Sequence, residues 1–176
     1  MRYDPARPIA LIGLMGAGKT TVARALGERL AVSVADLDAM LVADAGRSIP
    51  SLFEQEGEPA FRRREHLMLK RALAAGVRVL ACGGGIVTDP GSRALLAEHC
   101  AVVWLAVSPA VAAERIRDEV SNRPLAAGAD LAARLAGLER ERGSLYADAA
   151  VLRIDTDGLS SEQVADQVLA ALGAGA

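Results

Sequence analysis

Short apolar runs alternate along the chain with longer stretches of helical periodicity. Runs this short and this continuously apolar are typical of strands that are buried on both faces of a parallel sheet. Because helical stretches separate most of these runs, the alternation predicts a three-layer α/β domain. The predicted strands are Ile9–Leu14, Val32–Ala35, Val77–Ala81, Ala101–Val107 and Val151–Ile154.

The stretches between these runs carry helix signals. Pro109 suits the first turn of a helix, where its missing N–H is not needed. Ser160 and Gln163 have the spacing of a capping box, and apolar residues follow on one face. The predicted helices are Thr20–Leu30, Pro109–Arg117, Leu131–Leu145 and one that begins after Ser160.

Two connections are longer than a simple crossover requires. Residues 37–76 contain two helical patterns, Ile49–Glu56 and Glu58–Ala75, and we expect them to form a small substrate-binding subdomain. Residues 118–130, with the sequence DEVSNRPLAAGAD, are poor in bulky apolar side chains. A segment of that composition cannot pack firmly, so we expect a mobile lid.

The segment GLMGAGKTT, residues 13–21, fits the phosphate-loop pattern and stands between a predicted strand and a predicted helix. Its glycines allow backbone N–H groups to wrap a phosphate at a helix N-terminus, where Lys19 reaches the β- and γ-phosphates and Thr20 ligates Mg²⁺. The alternative is a glycine-rich helix cap, but with only two lysines in the chain a chance match is about one in a thousand. The predicted nucleotide contacts are Gly16, Ala17, Gly18, Lys19, Thr20 and Thr21.

Length and composition narrow the function classes. With 176 residues and a net charge of −2, the chain suits one domain, residues 1–176, without general affinity for nucleic acid or membranes. Cys82 and Cys100 stand in apolar stretches without metal-ligand spacing, so we expect buried thiols in a reducing compartment. The N-terminus lacks an apolar signal core. We therefore expect a soluble, cytoplasmic monomer.

Asp36, Leu37 and Asp38 follow the second predicted strand. If they extend the strand, both carboxylates point the same way at the carboxyl edge of the sheet, where open α/β folds bind ligands. Asp36 would then support Mg²⁺ beside Thr20, and Asp38 would accept a hydrogen bond from a hydroxyl substrate. Alternatively, the pair only caps a helix that begins near Leu37.

Arginines and glycines supply the remaining candidates. Arg62, Arg63 and Arg64 lie on a helical pattern and point about 100° apart, so they cannot share one target and at least one is solvated. Arg123 and Arg142 could bind an anionic substrate or a transferring phosphoryl group, although lone surface arginines are more often solvated. The glycines after the third strand either let a ligand approach the backbone or form a flexible turn; they are Gly83, Gly84 and Gly85.

With these residues in hand, the chain resembles the shikimate kinase family from about Ile9 to Leu172. The marks occur in order, namely GLMGAGKTT, DLD, SIPSLFEQEGEPAFRRRE, CGGG, NRPL and RGSLY. The resemblance implies the P-loop NTPase fold of nucleoside monophosphate kinases, with a five-stranded parallel sheet ordered 2-3-1-4-5. It also implies ATP- and Mg²⁺-dependent phosphorylation of the shikimate 3-hydroxyl in aromatic amino acid biosynthesis through chorismate.

The resemblance also assigns roles to individual residues. It implies Lys19, Asp38 and Arg123 as catalytic residues, with Arg123 as the lid arginine, and Arg115 as a residue that stacks on adenine. Cys82 departs from the family, because Ser or Thr usually precedes the three glycines. The implied shikimate contacts are Asp38, Arg62, Arg142 and the backbone of Gly83, Gly84 and Gly85.

Three other functions are alternatives to this interpretation of the sequence. A kinase of the same fold for another acceptor, such as gluconate, would keep the phosphate loop without needing Asp38, Arg62 and Arg142 together. A nucleoside monophosphate kinase would need a second base pocket, for which the sequence has no signal. A non-catalytic sensor joined to a DNA-binding module is not expected, since eight residues precede Ile9.

Overall fold

A computed structural model describes residues 7–120 and 128–173 of the chain. Its centre is a five-stranded, all-parallel sheet with the order β2-β3-β1-β4-β5, which confirms the order that the family resemblance implied. The strands are β1 Ile9–Ile12, β2 Val34–Asp36, β3 Val79–Ala81, β4 Ala101–Ala106 and β5 Leu152–Asp155.

Seven helices flank the sheet in the described ranges. Helix α1 packs against α7, α2 against α3, and α5 against α6. The layered α/β prediction is therefore confirmed. The helices are α1 Lys19–Leu30, α2 Leu37–Ala45, α3 Ile49–Ala74, α4 Pro90–His99, α5 Pro109–Val120, α6 Gly128–Ala149 and α7 Ser161–Leu172.

The core is centred on β1, whose four residues have no solvent exposure. Ile9 is paired with Val79 of β3 on one side and with Ala101 of β4 on the other. The expectation that strands are buried on both faces holds for β1 and β3, but it is wrong for the edge strands β2 and β5. Val34 of β2 is exposed, because an edge strand has no neighbour on one side.

Local signals account for several helix boundaries. The capping box at Ser160 and Gln163 is present, with reciprocal hydrogen bonds between side chain and backbone. Helix α3 is interrupted at Gly57, which has φ 75° and ψ 167°, so it consists of the two helical segments that the sequence predicts. Helix α4 was not predicted from the sequence. It begins at Asp89, whose carboxylate accepts a hydrogen bond from the backbone N–H of Ser92 at 2.7 Å.

The prediction that Asp36, Leu37 and Asp38 extend the strand is wrong in one respect. Strand β2 ends at Asp36, and Leu37 begins α2. The side chain of Asp36 accepts a hydrogen bond from the backbone N–H of Ala39 at 3.1 Å, which stabilises a helix start at this point. Asp38 therefore lies in the first turn of α2.

The predicted lid falls mostly on residues that are not described. Helix α5 reaches Val120 and α6 begins at Gly128, so the lid prediction for residues 121–127, including Arg123, lies outside the described part of the chain. Among the helices that are described, none combines the length and the apolar character that a membrane span requires.

The packing of the phosphate loop predicts how strongly a substitution there affects stability. Gly16 has φ 78°, and a Cβ atom would lie 2.7 Å from the carbonyl oxygen of Ala112, whereas Gly46 has φ 63° and open space around it. We expect Gly46→Ala to lower the free energy of unfolding by ~1 kcal/mol through backbone strain alone. Gly16→Ala adds overpacking and should lose ~2–4 kcal/mol. Urea denaturation measures both, and equal losses would contradict the close packing of the loop.

Candidate functional site

The phosphate loop connects β1 to α1 at the carboxyl edge of the sheet. Gly13, Gly16 and Gly18 have φ angles of 140°, 78° and 83°, as expected for a loop that presents its N–H groups to an anion. Gly18 is the N-cap of α1 and supplies no side-chain acceptor, so the first N–H groups of this helix remain available to a ligand.

Lys19 is held directly over this loop. Its ammonium group donates hydrogen bonds to the carbonyl oxygens of Gly13 at 2.9 Å and Leu14 at 2.7 Å. Burial lowers the pKa of Lys19, and Asp38, the first of the nearby acidic groups, opposes that effect. These contacts fix the amine beside the loop, where it can meet the phosphates of a nucleotide.

A cavity of about 260 Å³ opens beside the phosphate loop, and we call it the loop cavity. Arg115 of α5 crosses its wall and donates hydrogen bonds to the carbonyl oxygen of Gly16 at 3.3 Å and to that of Thr156 at 2.6 Å. The Thr156 hydroxyl accepts a third hydrogen bond from the same guanidinium at 3.1 Å. The predicted contacts in the lining are Gly16, Ala17, Gly18, Thr21 and Arg115.

Thr20 and Asp36 form a pair of oxygen ligands next to the loop. The Thr20 hydroxyl donates to Asp36 Oδ2 at 2.6 Å, while Asp36 Oδ1 accepts from the backbone of α2. Asp36 is thus both a helix cap and a group facing the phosphate loop. In the described residues no cluster of three or more His, Cys, Asp or Glu forms a closed metal site. A hydroxyl and a single carboxylate fit Mg²⁺, which takes few protein ligands and keeps water and phosphate oxygens.

A second cavity of about 200 Å³ also borders the phosphate loop, and we call it the charged cavity. Leu14 and Met15 of the loop form part of its wall. Phe53 and Phe61 of α3 stack with ring centroids 4.2 Å apart and form an apolar side. The charged groups that line it are Asp38, Arg62, Glu65 and Arg142.

Arg62 is bound by two carboxylates of its own helix. Its Nε and Nη2 atoms donate to Glu58 at 3.2 and 2.9 Å, and Nη1 donates to Glu65. The guanidinium also lies over the rings of Phe53 and Phe61, at 5.8 and 5.3 Å from their centroids. Stacked rings and fixed acceptors hold the orientation of the guanidinium group in the cavity.

Asp38 and Glu65 approach each other across Gly83. A Cβ atom at Gly83 would clash with Glu65 and would lie 2.8 Å from Asp38 Oδ1, so a side chain at this position would displace the two carboxylates. Burial raises the pKa of Asp38, and the nearby Asp36 raises it further. Burial likewise raises the pKa of Glu65, against the opposing effect of Arg62. A hydrogen-bond donor or a cation in the cavity would therefore stabilise the ionised form of both carboxylates.

Arg142 and Tyr146 reach the same carbonyl from successive turns of α6. Arg142 Nη1 donates to the carbonyl oxygen of Gly84 at 3.3 Å, and the buried Tyr146 hydroxyl donates to that oxygen as well. Gly84 in turn lies against the phosphate loop, since a Cβ atom there would be 3.5 Å from the Met15 nitrogen. Arg142 Nε is buried and has no hydrogen-bond partner among the described residues. An oxygen of Glu141 lies 3.9 Å from this Nε, beyond hydrogen-bond distance.

Most of the predicted site residues come together around the phosphate loop. Arg63 is the solvated member of the arginine run, while Arg64 pairs with Glu56 away from the charged cavity. Cys82 is buried before the glycines, and burial raises the pKa of its thiol far above the usual value, so it is a neutral packing residue. The sequence analysis did not identify Glu65 and Tyr146 as site residues, although they end the family motifs SIPSLFEQEGEPAFRRRE and RGSLY.

Comparison with known proteins finds similar sequences and similar folds. The family model for shikimate kinase matches residues 15–173. The shikimate kinase of Symbiobacterium thermophilum is 41% identical over 162 residues, which cover 92% of this chain and 93% of that protein. A solved shikimate kinase from Acinetobacter baumannii, in complex with shikimate, matches with a TM-score of 0.85 and 34% identity over 96% of this chain and 93% of that one.

A gluconokinase from Sinorhizobium meliloti has the same fold. Its TM-score is 0.64 at 19% identity, with 99% of this chain and 94% of that chain covered. At that identity the likeness concerns the fold alone. The specific chemistry has to be sought in the charged cavity.

The raised pKa of Asp38 predicts a gain in stability on neutralisation. Because the folded state raises this pKa, ionised Asp38 destabilises the native state at neutral pH. Asp38→Asn should therefore be more stable than wild type at neutral pH, and the difference should vanish as the pH falls toward 3.8, the ordinary pKa of an aspartate. Urea denaturation over this pH range measures it.

Glu56→Gln is the matched control, with the opposite sign. Hydrogen bonding to Arg64 lowers the pKa of Glu56, so its ionised form stabilises the native state. The glutamine variant should lose stability at neutral pH, and this loss should disappear in acid. A less stable Asp38→Asn at neutral pH would mean that Lys19 and Arg62 compensate fully for the buried charge.

Proposed function

Since the chain belongs to the shikimate kinase family, we propose that its charged cavity is the shikimate site and its loop cavity the ATP site. The protein transfers the γ-phosphoryl group of ATP to the 3-hydroxyl of shikimate, a step in aromatic amino acid biosynthesis, with Mg²⁺ as cofactor. One observation carries the assignment of the sites. The phosphate loop lines both cavities, so a donor phosphate and an acceptor hydroxyl can meet across it.

The shape and charge of the two cavities fit this division. Shikimate has one carboxylate and three hydroxyl groups, which suit guanidinium donors and a carboxylate acceptor respectively. The Nε of Arg142, which makes no hydrogen bond to the described residues, can supply a donor for the carboxylate. Asp38 lies between Lys19 of the phosphate loop and Gly83, where it can accept a hydrogen bond from the attacking hydroxyl. Residues 37–76 would then act as the substrate-binding part of a single domain.

The protein has little covalent work to do in this reaction. Phosphoryl transfer passes through a loose transition state, so positioning and charge neutralisation dominate. Lys19 and the N–H groups at the start of α1 hold the β- and γ-phosphates. Asp38 orients the hydroxyl and accepts its proton as the new P–O bond forms and the bond to the ADP oxygen breaks. Mg²⁺, held by Thr20 and Asp36, would offset the phosphate charge.

Arg115 and Arg123 complete the proposal on the nucleotide side. Arg115 is fixed by Gly16 and Thr156 in the wall of the loop cavity, where its guanidinium plane can meet a base. Arg123 lies outside the described residues, and its assignment rests on its place in the NRPL segment. We expect it to neutralise charge on the transferring phosphoryl group.

A coupled assay of ATP turnover tests the choice of acceptor. Purified protein is supplied with Mg·ATP and with shikimate, gluconate or a nucleoside monophosphate in turn. Turnover should require shikimate, because its ring holds a carboxylate for Arg142 and a hydroxyl for Asp38 at a fixed separation, whereas the open chain of gluconate would have to be ordered first. Equal turnover with gluconate would make the protein a kinase of broader specificity and would reject the assignment.

Asp38→Asn separates a kinase from a protein that only binds nucleotide. The variant keeps the size of the side chain but cannot orient the hydroxyl as a carboxylate does. It should bind Mg·ATP normally and lose ~10²–10⁴ in kcat, the usual range for a positioned acid–base group. Calorimetry and steady-state kinetics measure the two quantities. Asp36→Asn is the control: if it alone retains Mg·ATP affinity, the roles of the two carboxylates are reversed.

Lys19→Met tests the phosphate loop, and the chain offers a matched control. Lys70, the other lysine, is exposed on α3. We expect Lys19→Met to reduce turnover to background, because no other cation of the loop replaces the ammonium group, while Lys70→Met keeps wild-type kinetics. Both variants should have the circular dichroism of the wild type. Normal kinetics in folded Lys19→Met would reject the phosphate-loop assignment.

A further inference from the structure

The two arginines of the charged cavity differ in how fully they are bound. Three nitrogen atoms of Arg62 donate to Glu58 and Glu65. Arg142 instead makes one long hydrogen bond of 3.3 Å to a carbonyl oxygen, and its Nε makes no hydrogen bond to the described residues, with an oxygen of Glu141 at 3.9 Å as a loose ion-pair partner. A carboxylate that enters the cavity therefore finds Arg142 available and Arg62 engaged.

The two carboxylates on Arg62 differ in solvent exposure. The side chain of Glu58 is 58% exposed, whereas that of Glu65 is only 3% exposed. Removing the partner of a buried charge is strongly unfavourable, so Glu65 has to stay with Arg62. An exposed ion pair contributes little and is screened by salt, so Glu58 can leave at small cost.

We propose that Glu58 competes with the substrate carboxylate for Arg62 and thereby sets the affinity of the site. This inference rests on the proposed function, because Glu58 would act through Arg62, a residue that lines the same cavity. Arg142 is the first anchor of the incoming carboxylate. Arg62 becomes the second anchor when Glu58 releases its Nε and Nη2 atoms, while Glu65 keeps the guanidinium in place.

The backbone around Glu58 is suited to such a release. Glu58 follows Gly57, whose φ of 75° and ψ of 167° interrupt α3, so Glu58 begins the second helical segment. At the end of a segment a side chain is restrained by fewer neighbouring turns than in the helix interior. Glu56, on the other side of Gly57, pairs with Arg47 and Arg64 and not with Arg62. Neither glutamate lines the charged cavity, so Glu58 differs from Glu56 through its contact with Arg62.

The experiment compares Glu58→Gln with Glu56→Gln in the full chain. Both substitutions remove one negative charge from an ion-paired glutamate beside Gly57, but only the first weakens a contact of Arg62. Shikimate and Mg·ATP affinities are measured by calorimetry at low and high salt. We expect Glu58→Gln to bind shikimate ~2- to 5-fold more tightly than wild type, the range of an exposed ion pair. Glu56→Gln should bind shikimate as wild type does.

Two further readouts belong to the same experiment. The advantage of Glu58→Gln over wild type should shrink at high salt, because screening already weakens the exposed pair. Arg142→Ala should lose more shikimate affinity than Arg62→Ala, since Arg142 is the first anchor. Mg·ATP affinity should be unchanged in all of these variants.

Each contrary result has a distinct meaning. Unchanged or weaker shikimate binding in Glu58→Gln would overturn the proposal, and weaker binding would make Glu58 a support for Arg62. Equal tightening in Glu56→Gln would overturn it in favour of a general charge effect. Failure of the wild type to bind shikimate while Mg·ATP binds would instead reject the proposed function.

Discussion

The hydrogen bonding of β1 between β3 and β4 is the constraint on which the site depends. All four residues of β1 are fully buried. Ile9 is paired with the first residue of β3 on one side and with the first residue of β4 on the other. Because the strands are parallel, the loops that follow β1 and β3 leave the sheet at the same edge. The backbone N–H of Cys82 still donates to Leu11 at 3.0 Å, which brings the glycine run against the phosphate loop.

This arrangement places two cavities beside one backbone segment. The phosphate loop contributes Gly16 to the loop cavity and Met15 to the charged cavity. Neighbouring residues of a turn can face different ligands, because their backbone groups point in different directions. Two substrates held this way react without a covalent intermediate on the protein, as phosphoryl transfer requires positioning above all.

The charged cavity concentrates groups that would be unfavourable elsewhere in the protein. Asp38 and Glu65 are largely buried, and burial raises the pKa of both. Arg62 is close enough to Glu65 to offset part of this cost, as paired charges do in low-dielectric surroundings. The buried charges therefore lower the stability of the folded protein, but they allow the cavity to bind a polar, anionic ligand.

The sequence by itself determined the phosphate loop, the alternation of strands and helices, and the break between Glu56 and Glu58, because these depend on local chemistry and periodicity. It also contained the signals for Glu65 and Tyr146, which lie one helical turn after Arg62 and Arg142 respectively. Only the tertiary structure decided what they contact. Tyr146 meets Gly84 across 62 positions of sequence, a pairing that no spacing rule predicts. Likewise, Asp38 belongs to a helix rather than a strand because Asp36 caps α2, and the burial of a carboxylate depends on which elements pack around it.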